Sequence, residues 1–301
     1  MTTRLAKLIS QPFSVPNLSY LIQRRVTYAP FRYWISNRIA QWSSSALRTP
    51  AGDKGLTNEQ QLFLESLQKE GIASFNGFLS QELIDRIKEQ FKGKELTEIG
   101  PPKRSGFTIH NAPSNVSWAT FTDKDILGCK EIISIANHPD ILTIASHYLN
   151  CVPTISNISL TYRFPTLNKP KGSENFHRDV DEWKFLKFFI YLTDVDTNSG
   201  PHCYVKGSHL YPGFTKIQRI PDHQVEEVFP KDDIVEITGK SGDAFLEDTF
   251  GIHKGKVATH NPRLMLQVQY SIGQIGLRDY TTKIPSLLTK GLDPYINRLF
   301  I

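Results

Sequence analysis

Apolar residues change their period near Cys151, and that change divides the chain. Upstream they recur three and four apart, the spacing of one face of a helix. "LTNEQQLFLESLQKEGIASF" opens with Thr57 and, three residues on, Gln60, the pattern of a capping box. "SQELIDRIKEQF", from Ser80, has helical periodicity, and "KEIISIANHPDILTIASHYL" shows it twice. Farther upstream, "PFRYWISNRIAQW" puts Pro30 at a first helical position and spaces Trp34, Ile35, Ile39 and Trp42 as a helix would. Downstream of Cys151 the runs are short and β-rich: "TISNISLTYRF", "KFLKFFIYLTDV", "DIVEIT", "DAFLED" and "RLMLQVQYS". Turn-forming stretches such as "TNSGP", "KGSH", "GKSGD" and "HNP" separate them. Helices followed by about eight strands predict a mainly β fold with flanking helices, an antiparallel double sheet closed as a jelly roll. The expected organisation is an arm over residues 1–54 and one domain over 55–301, helical over 55–150 with the jelly-roll core over 151–275.

Composition narrows the class. The 301 residues are 39% hydrophobic and 22% charged, ordinary values for a soluble globular protein. No apolar run approaches a membrane span, and no secretory signal with a cleavage site is visible. Cys129, Cys151 and Cys203 have no CxxC spacing and read as reduced structural thiols, so an intracellular, cytoplasmic location is expected.

Charge singles out the arm. Of the 35 basic residues, seven (Arg4, Lys7, Arg24, Arg25, Arg32, Arg38 and Arg48) lie between Met1 and Gly52, where there is no acid. The rest of the chain carries 28 basic against 30 acidic residues, a net charge of −2. Arginines and tryptophans on one helix suit either packing onto the domain, a peripheral membrane contact through residues 1–52, or an organelle-targeting segment. Arg4 and Leu5 with Gln11 come near an N-terminal peroxisomal signal, though Pro12 occupies its last position. Nucleic acid is not an expected partner, because no basic face continues beyond the arm.

One tripeptide carries the chemistry. His177 and Asp179 are two apart in an extended segment, so both side chains project to one side. A second H-x-D, His138-Pro139-Asp140, is a helix start: proline and an acid suit the first turn. A histidine and a carboxylate on one side suit a metal, and a facial triad needs one more histidine while leaving positions open. Downstream candidates are His202, His209, His223, His253 and His260. His202 and His209 flank turn-rich "GPHCYVKGSH", whereas His253 ends "GDAFLEDTFGIH", a strand launched from a Gly-Asp turn. Arg263 begins the last strong strand ten residues after His253. An iron oxygenase using 2-oxoglutarate must hold a distal carboxylate, for which arginine offers a bidentate fork.

At this point the sequence resembles the phytanoyl-CoA dioxygenase family of Fe(II)/2-oxoglutarate oxygenases. "FHRD", "FIYLTDVDTNSGPHCYVKGSH", "GDAFLEDTFGIH" and Arg263 carry the likeness, which covers roughly Leu62 to Gly273. The resemblance implies a double-stranded β-helix, a cupin-like jelly roll. It implies that His177, Asp179 and His253 ligate Fe(II), that Arg263 holds 2-oxoglutarate, and that O2 is consumed with release of succinate and CO2. Family members often carry a serine two residues after the distal histidine, where this chain has Gly255. Lys187, in the apolar run "FLKFFIYL", needs an anionic partner if buried, and is a candidate for the cosubstrate carboxylate; Tyr162 is a second. A retained Asp179 argues for hydroxylation, since related halogenases have a small residue there.

For the substrate, "IGPPKRSGFTIHNAPSNVSWATF" is an expected lid or wall, with Lys103 and Arg104 as candidate contacts, joined by Trp183. A small metabolite, an acyl-CoA, or a lipid-linked or glycolipid acceptor all suit these features. Two other classes use the same residues: a zinc hydrolase on the same ligands, and a noncatalytic binding protein on the same fold.

Overall fold

The structure is a computed structural model and describes residues 15–44, 55–167, 170 and 172–301. Arg4, Lys7 and Arg48, and with them the peroxisome-like signal, lie outside the described residues. The arm forms two helices, α1 over Val15–Gln23 and α2 over Ala29–Ser44. The next helix, α3 (Asn58–Glu70), opens on its capping box: Gln60 N–H donates to the Thr57 hydroxyl at 3.2 Å, and Thr57 N–H to the Gln60 carbonyl oxygen at 2.9 Å. It stops at Gly71, where φ is +81° and a Cβ would lie 2.1 Å from the Tyr204 hydroxyl. Only glycine suits that turn.

Strand β1 (Ile72–Phe75) and helix α4 (Gln81–Phe91) follow, then β2 (Leu96–Glu98), β3 (Ser105–Phe107) and β4 (Trp118–Phe121). Helices α5 (Asp123–Leu127), α6 (Lys130–Ala136) and α7 (Pro139–Leu149) complete this part, with His138 and Pro139 starting α7. The segment expected to be helical over 55–150 holds five helices and also four short strands, which extend the main sheet. These strands are three or four residues long, too short for their alternation to stand out from the helical pattern around them.

The jelly roll comprises β5 (Thr154–Arg163), β6 (Phe185–Tyr191), β7 (His202–Val205), β8 (Ile234–Ile237), β9 (Ala244–Glu247), β10 (His253–Gly255) and β11 (Arg263–Ser271), with a short helix α8 (Asp222–Glu226) before β8. An eight-stranded sheet runs β1-β9-β6-β11-β5-β4-β2-β3, and a three-stranded sheet runs β10-β7-β8. Alternation along β5, β6 and β11 sends Ile158, Leu160, Phe188, Ile190, Leu266 and Val268 into a core shared with Leu67, Ile84, Ile132 and Ile141 of the helices. The opposite face looks toward the smaller sheet, with the His202 ring 5.1 Å from Phe189 across the gap.

The arm is fastened to this body by its polar face. Gln23 Nε2 donates to Val180 C=O at 2.6 Å, and Tyr33 OH to Asp248 at 2.7 Å. Arg32 is 1% exposed and donates to the carbonyls of Gln23, Val26 and Glu182. Packing of the tryptophans onto the domain is corrected: Trp34 and Trp42 are 56% and 82% exposed. The side of α2 turned inward is small and polar, and it satisfies buried carbonyls that tryptophan leaves unpaired. No helix among the described residues is long and apolar enough to cross a membrane.

This docking generates a test. Arg32→Met keeps the apolar stem but strips donors from three carbonyls, which costs about 3 kcal/mol. Urea unfolding should show that loss, and limited proteolysis should cut the linker between α1 and α2 sooner than in the parent. Unchanged stability and cleavage would mean that the arm is not held by this arginine.

Candidate active site

Two backbone hydrogen bonds place the metal-ligand candidates. His177 N–H donates to His253 C=O at 3.0 Å, and His253 N–H to His177 C=O at 3.0 Å, an antiparallel bridge between the segment before β6 and strand β10. Such a pair aligns its side chains on one face, and the ring centroids are 4.3 Å apart. Asp179 projects to the same side, its own N–H held by Thr249 C=O at 2.8 Å. Arg178 points the other way, donating to Phe250 C=O and Tyr211 C=O at 2.9 Å each, and so anchors the segment from behind.

The three side chains converge. Asp179 lies 3.5 Å from His177 Nε2 and 3.4 Å from His253 Nε2. Among the described residues, His177, Asp179 and His253 are the one group of three able to share an ion, their ligand atoms all within 4.8 Å of one another. Each histidine commits its other nitrogen to the backbone: His177 Nδ1 meets Asn175 C=O at 2.9 Å, and His253 Nδ1 meets Gly251 C=O at 3.0 Å. With Nδ1–H donating there, Nε2 keeps its lone pair for the cluster.

Charge in the cluster is uneven. Burial and the neighbouring His253 lower His177 to about 4, so it stays neutral. Burial opposes protonation of His253 too, but Asp179 outweighs it and raises this histidine. Burial pushes Asp179 up, yet Lys187 and His253 hold its carboxyl well below the usual range. Lys187 Nζ lies 2.6 Å from Asp179 Oδ2 and 3.1 Å from Asp181 Oδ2. Behind His253, His202 Nε2 meets Glu247 at 2.8 Å. Burial raises Glu247 to about 8 and lowers His202, so this pair is neutral, its proton on the carboxyl.

The cavity, about 390 Å³, is walled by cross-strand rows. Trp118, Arg163 and Arg263 form one row on β4, β5 and β11; Thr161, Met265 and Tyr191 form the next. Ser159, Gln267 and Phe189 follow, then Asn157 and Lys187, with Gln269 between them lining an adjoining opening that shares both. From Arg263 to Gln269 is roughly 20 Å at about 3.3 Å per residue. One end is therefore cationic and the other carries amides and hydroxyls beside the ligand cluster.

At the cationic end Arg263, 2% exposed, donates to Gly200 C=O, and Arg163, 3% exposed, pairs with Glu174 and stacks 4.0 Å over the Trp118 ring. The Nε atoms of both arginines have no hydrogen-bond partner. A Cβ on Gly255 would sit 3.3 Å from Arg163 Nη2 and 3.8 Å from Arg263 Nη2. The Arg163 guanidinium thus occupies the space beside Gly255.

Several expected contacts are elsewhere. Lys187 does line the cavity, but it meets Asp179 and Asp181 and not the Arg263 end, because those carboxylates already supply the anion its burial demands. Tyr162 is on the opposite face of β5, its ring 4.7 Å from Phe164 and packed on the helical core. Arg104 is engaged by Glu98 at 2.9 Å, and neither it nor the exposed Lys103 lines the cavity; Ile99, Trp118 and Thr120 from that stretch do. Trp183 is buried outside the cavity, its indole N–H donating to Ser19 of α1 at 2.8 Å. Of the other histidines, His202 is taken by Glu247 and His209 Nε2 by Gln68 C=O at 3.3 Å.

Arg163 is the site residue that the sequence reading missed. Its signal was present as strict alternation in "NISLTYR", which assigns Asn157, Ser159, Thr161 and Arg163 to one face and Tyr162 to the other.

Comparison with known proteins agrees with this geometry. The model of the phytanoyl-CoA dioxygenase (PhyH) family matches residues 67–264, more than half the chain. A search of curated proteins finds no match. Among solved structures, the epimerase SnoN in complex with Fe3+, alpha ketoglutarate and nogalamycin RO has TM-score 0.53 at 17% identity, covering 78% of this chain and 93% of that one. The carbocyclase SnoK from nogalamycin biosynthesis has TM-score 0.52 at 19% identity, covering 81% and 93%. At these identities the likeness is one of fold. The family match, over a segment that contains the three clustered side chains and Arg263, makes the chain a member of the phytanoyl-CoA dioxygenase family of iron- and 2-oxoglutarate-dependent enzymes.

Proposed function

We propose that this enzyme hydroxylates an aliphatic carbon of a small, hydroxyl-bearing molecule, with His177, Asp179 and His253 holding Fe(II) and Arg263 and Arg163 receiving 2-oxoglutarate. The observation that carries the reading is one cavity with two unlike ends: a His-Asp-His cluster, and a pair of buried guanidiniums. The cluster fits a divalent ion because both imidazoles turn Nε2 toward an ionised Asp179. The other end fits a carboxylate because one acid, Glu174, faces two guanidiniums and two Nε–H groups lack acceptors. Bound there, the ion and cosubstrate would supply oxygen activation coupled to oxidative decarboxylation. A zinc hydrolase has no use for the paired arginines.

The chain's own side chains do the positioning. Lys187 grips Asp179 Oδ2 and fixes the plane of that carboxylate. Trp118 braces Arg163, while Met265 and Phe189 keep water from the space between the two ends. Asn157 Oδ1 and Gln269 Nε2 are buried without partners on adjacent strands, an acceptor beside a donor. An alcohol satisfies both, whereas an acyl chain leaves both unpaired. This favours a hydroxyl-bearing acceptor over an acyl-CoA.

Three outcomes test the assignment. With Fe(II) and 2-oxoglutarate, the parent should release succinate, and His177→Ala, Asp179→Ala and His253→Ala should each abolish release while circular dichroism stays native. Sustained release by His253→Ala would overturn its role as ligand. Arg263→Lys keeps the charge but loses the fork, so the apparent KM for 2-oxoglutarate should rise roughly tenfold; an unchanged KM would remove it from the cosubstrate site. Lys187→Met leaves Asp179 and Asp181 without their cation, a change worth about 3–5 kcal/mol in a buried pair. Thermal unfolding should drop sharply without metal and recover substantially when Mn2+ is added. Equal drops with and without Mn2+ would show that the ion does not replace the ammonium.

A further inference from the structure

The two arm helices are amphipathic in the wrong sense for solvent. At about 100° per residue, Phe31, Trp34, Arg38 and Trp42 of α2 share one face. All four are exposed, with Phe31 stacked on Trp34 at 5.9 Å. The opposite face, which meets the body, carries Arg32, Ser36 and Ala40, all buried. α1 repeats the inversion: Val15, Leu18 and Ile22 are 83%, 44% and 48% exposed, while Tyr20 and Gln23 are buried. Seven of the fourteen exposed large apolar side chains among the described residues fall between Val15 and Trp42. A surface helix ordinarily buries its apolar stripe and exposes its polar one. Here the polar stripe is consumed in fastening the arm, and the apolar stripe faces outward.

Charge decides what covers it. Between Val15 and Ser44 there are four arginines and no acid. Arg32 is spent internally and Arg24 donates to Tyr20 OH and Val180 C=O, which leaves Arg25 and Arg38 exposed on the arm. We infer that the outer faces of α1 and α2 dock this enzyme onto the surface of an anionic bilayer. Phe31, Trp34, Leu18 and Ile22 enter the boundary between headgroups and acyl chains, and Arg25 and Arg38 meet lipid phosphates. Indole rings are favoured at that depth, and clustered arginines add attraction that salt weakens. The docked arm also stands at the cavity: Tyr20 of α1 and Arg24 in the turn after it wall openings shared with Lys187 and with His177 and Asp179. The bilayer surface would therefore lie beside the entrance to the active site.

The test uses the full chain and flotation with vesicles of phosphatidylcholine alone or with about a third phosphatidylglycerol. The parent should float with the anionic vesicles in low salt, lose most of that binding in 0.5 M salt, and bind pure phosphatidylcholine weakly. The double variant L18S/W34S changes only exposed side chains, so its melting temperature should match the parent while its partition onto anionic vesicles falls at least tenfold. R25E/R38E should lose binding to a similar degree. Equal binding by these variants and the parent, or no binding by the parent, would overturn the proposal. So would light scattering that shows a lipid-free dimer of the parent and a monomer of L18S/W34S, since the face would then be an interface between copies. Activity enters none of these readouts, so failure here is distinct from failure of the oxygenase reading.

Discussion

The pair of hydrogen bonds between the backbones of His177 and His253 is the constraint on which the site rests. The two residues are 76 positions apart and belong to different parts of the chain. Once their backbones pair, side-chain alternation leaves little freedom: both rings and Asp179 must project to one side. The carbonyls of Asn175 and Gly251 then choose which nitrogen of each ring faces inward. Arg178 guards the bridge from behind by binding Phe250 and Tyr211, so a residue pointing away from the chemistry preserves its geometry.

From this bridge the cavity extends as a sequence of charge environments. Near the cluster, Lys187 compensates two carboxylates, and burial raises Glu247 while it lowers its partner His202. At the far end burial and the neighbouring Arg263 lower Arg163 to about 9, and its pairing with Glu174 opposes that loss of charge. In the proposed reading, the cosubstrate carboxylate would meet donors fixed before it arrives. Gly255 and Arg163 are neighbours, since a Cβ at Gly255 would press on the guanidinium at 3.3 Å.

The arm is part of this architecture. Its inner residues reach both segments that flank the cluster: Gln23 and Arg32 hold Val180 and Glu182 after Asp179, and Tyr33 holds Asp248 before His253. Tyr148 of α7 meets the same Asp248 carboxylate at 2.6 Å, so arm, helical layer and ligand segment converge on one acid. The basic segment is thereby a buttress on its inner side and an exposed aromatic surface on its outer side.

Sequence alone determined the features that depend on near neighbours. Capping at Thr57, the helix start at Pro139, the strand runs and the single-sided placement of His177 and Asp179 are local consequences of side-chain chemistry and backbone period. His253 and Arg263 were legible because a turn joins them within ten residues, on a pattern resembling a known family. The packing of Tyr162 against the helical core, the engagement of Lys187 by Asp179 and Asp181, and the approach of Arg163 to Gly255 belong to the tertiary structure. So does the inversion of the arm helices, because a helical period locates two faces without saying which one meets the body. Periodicity specifies which residues point together; only packing between distant segments decides which charges meet and which faces remain in solvent.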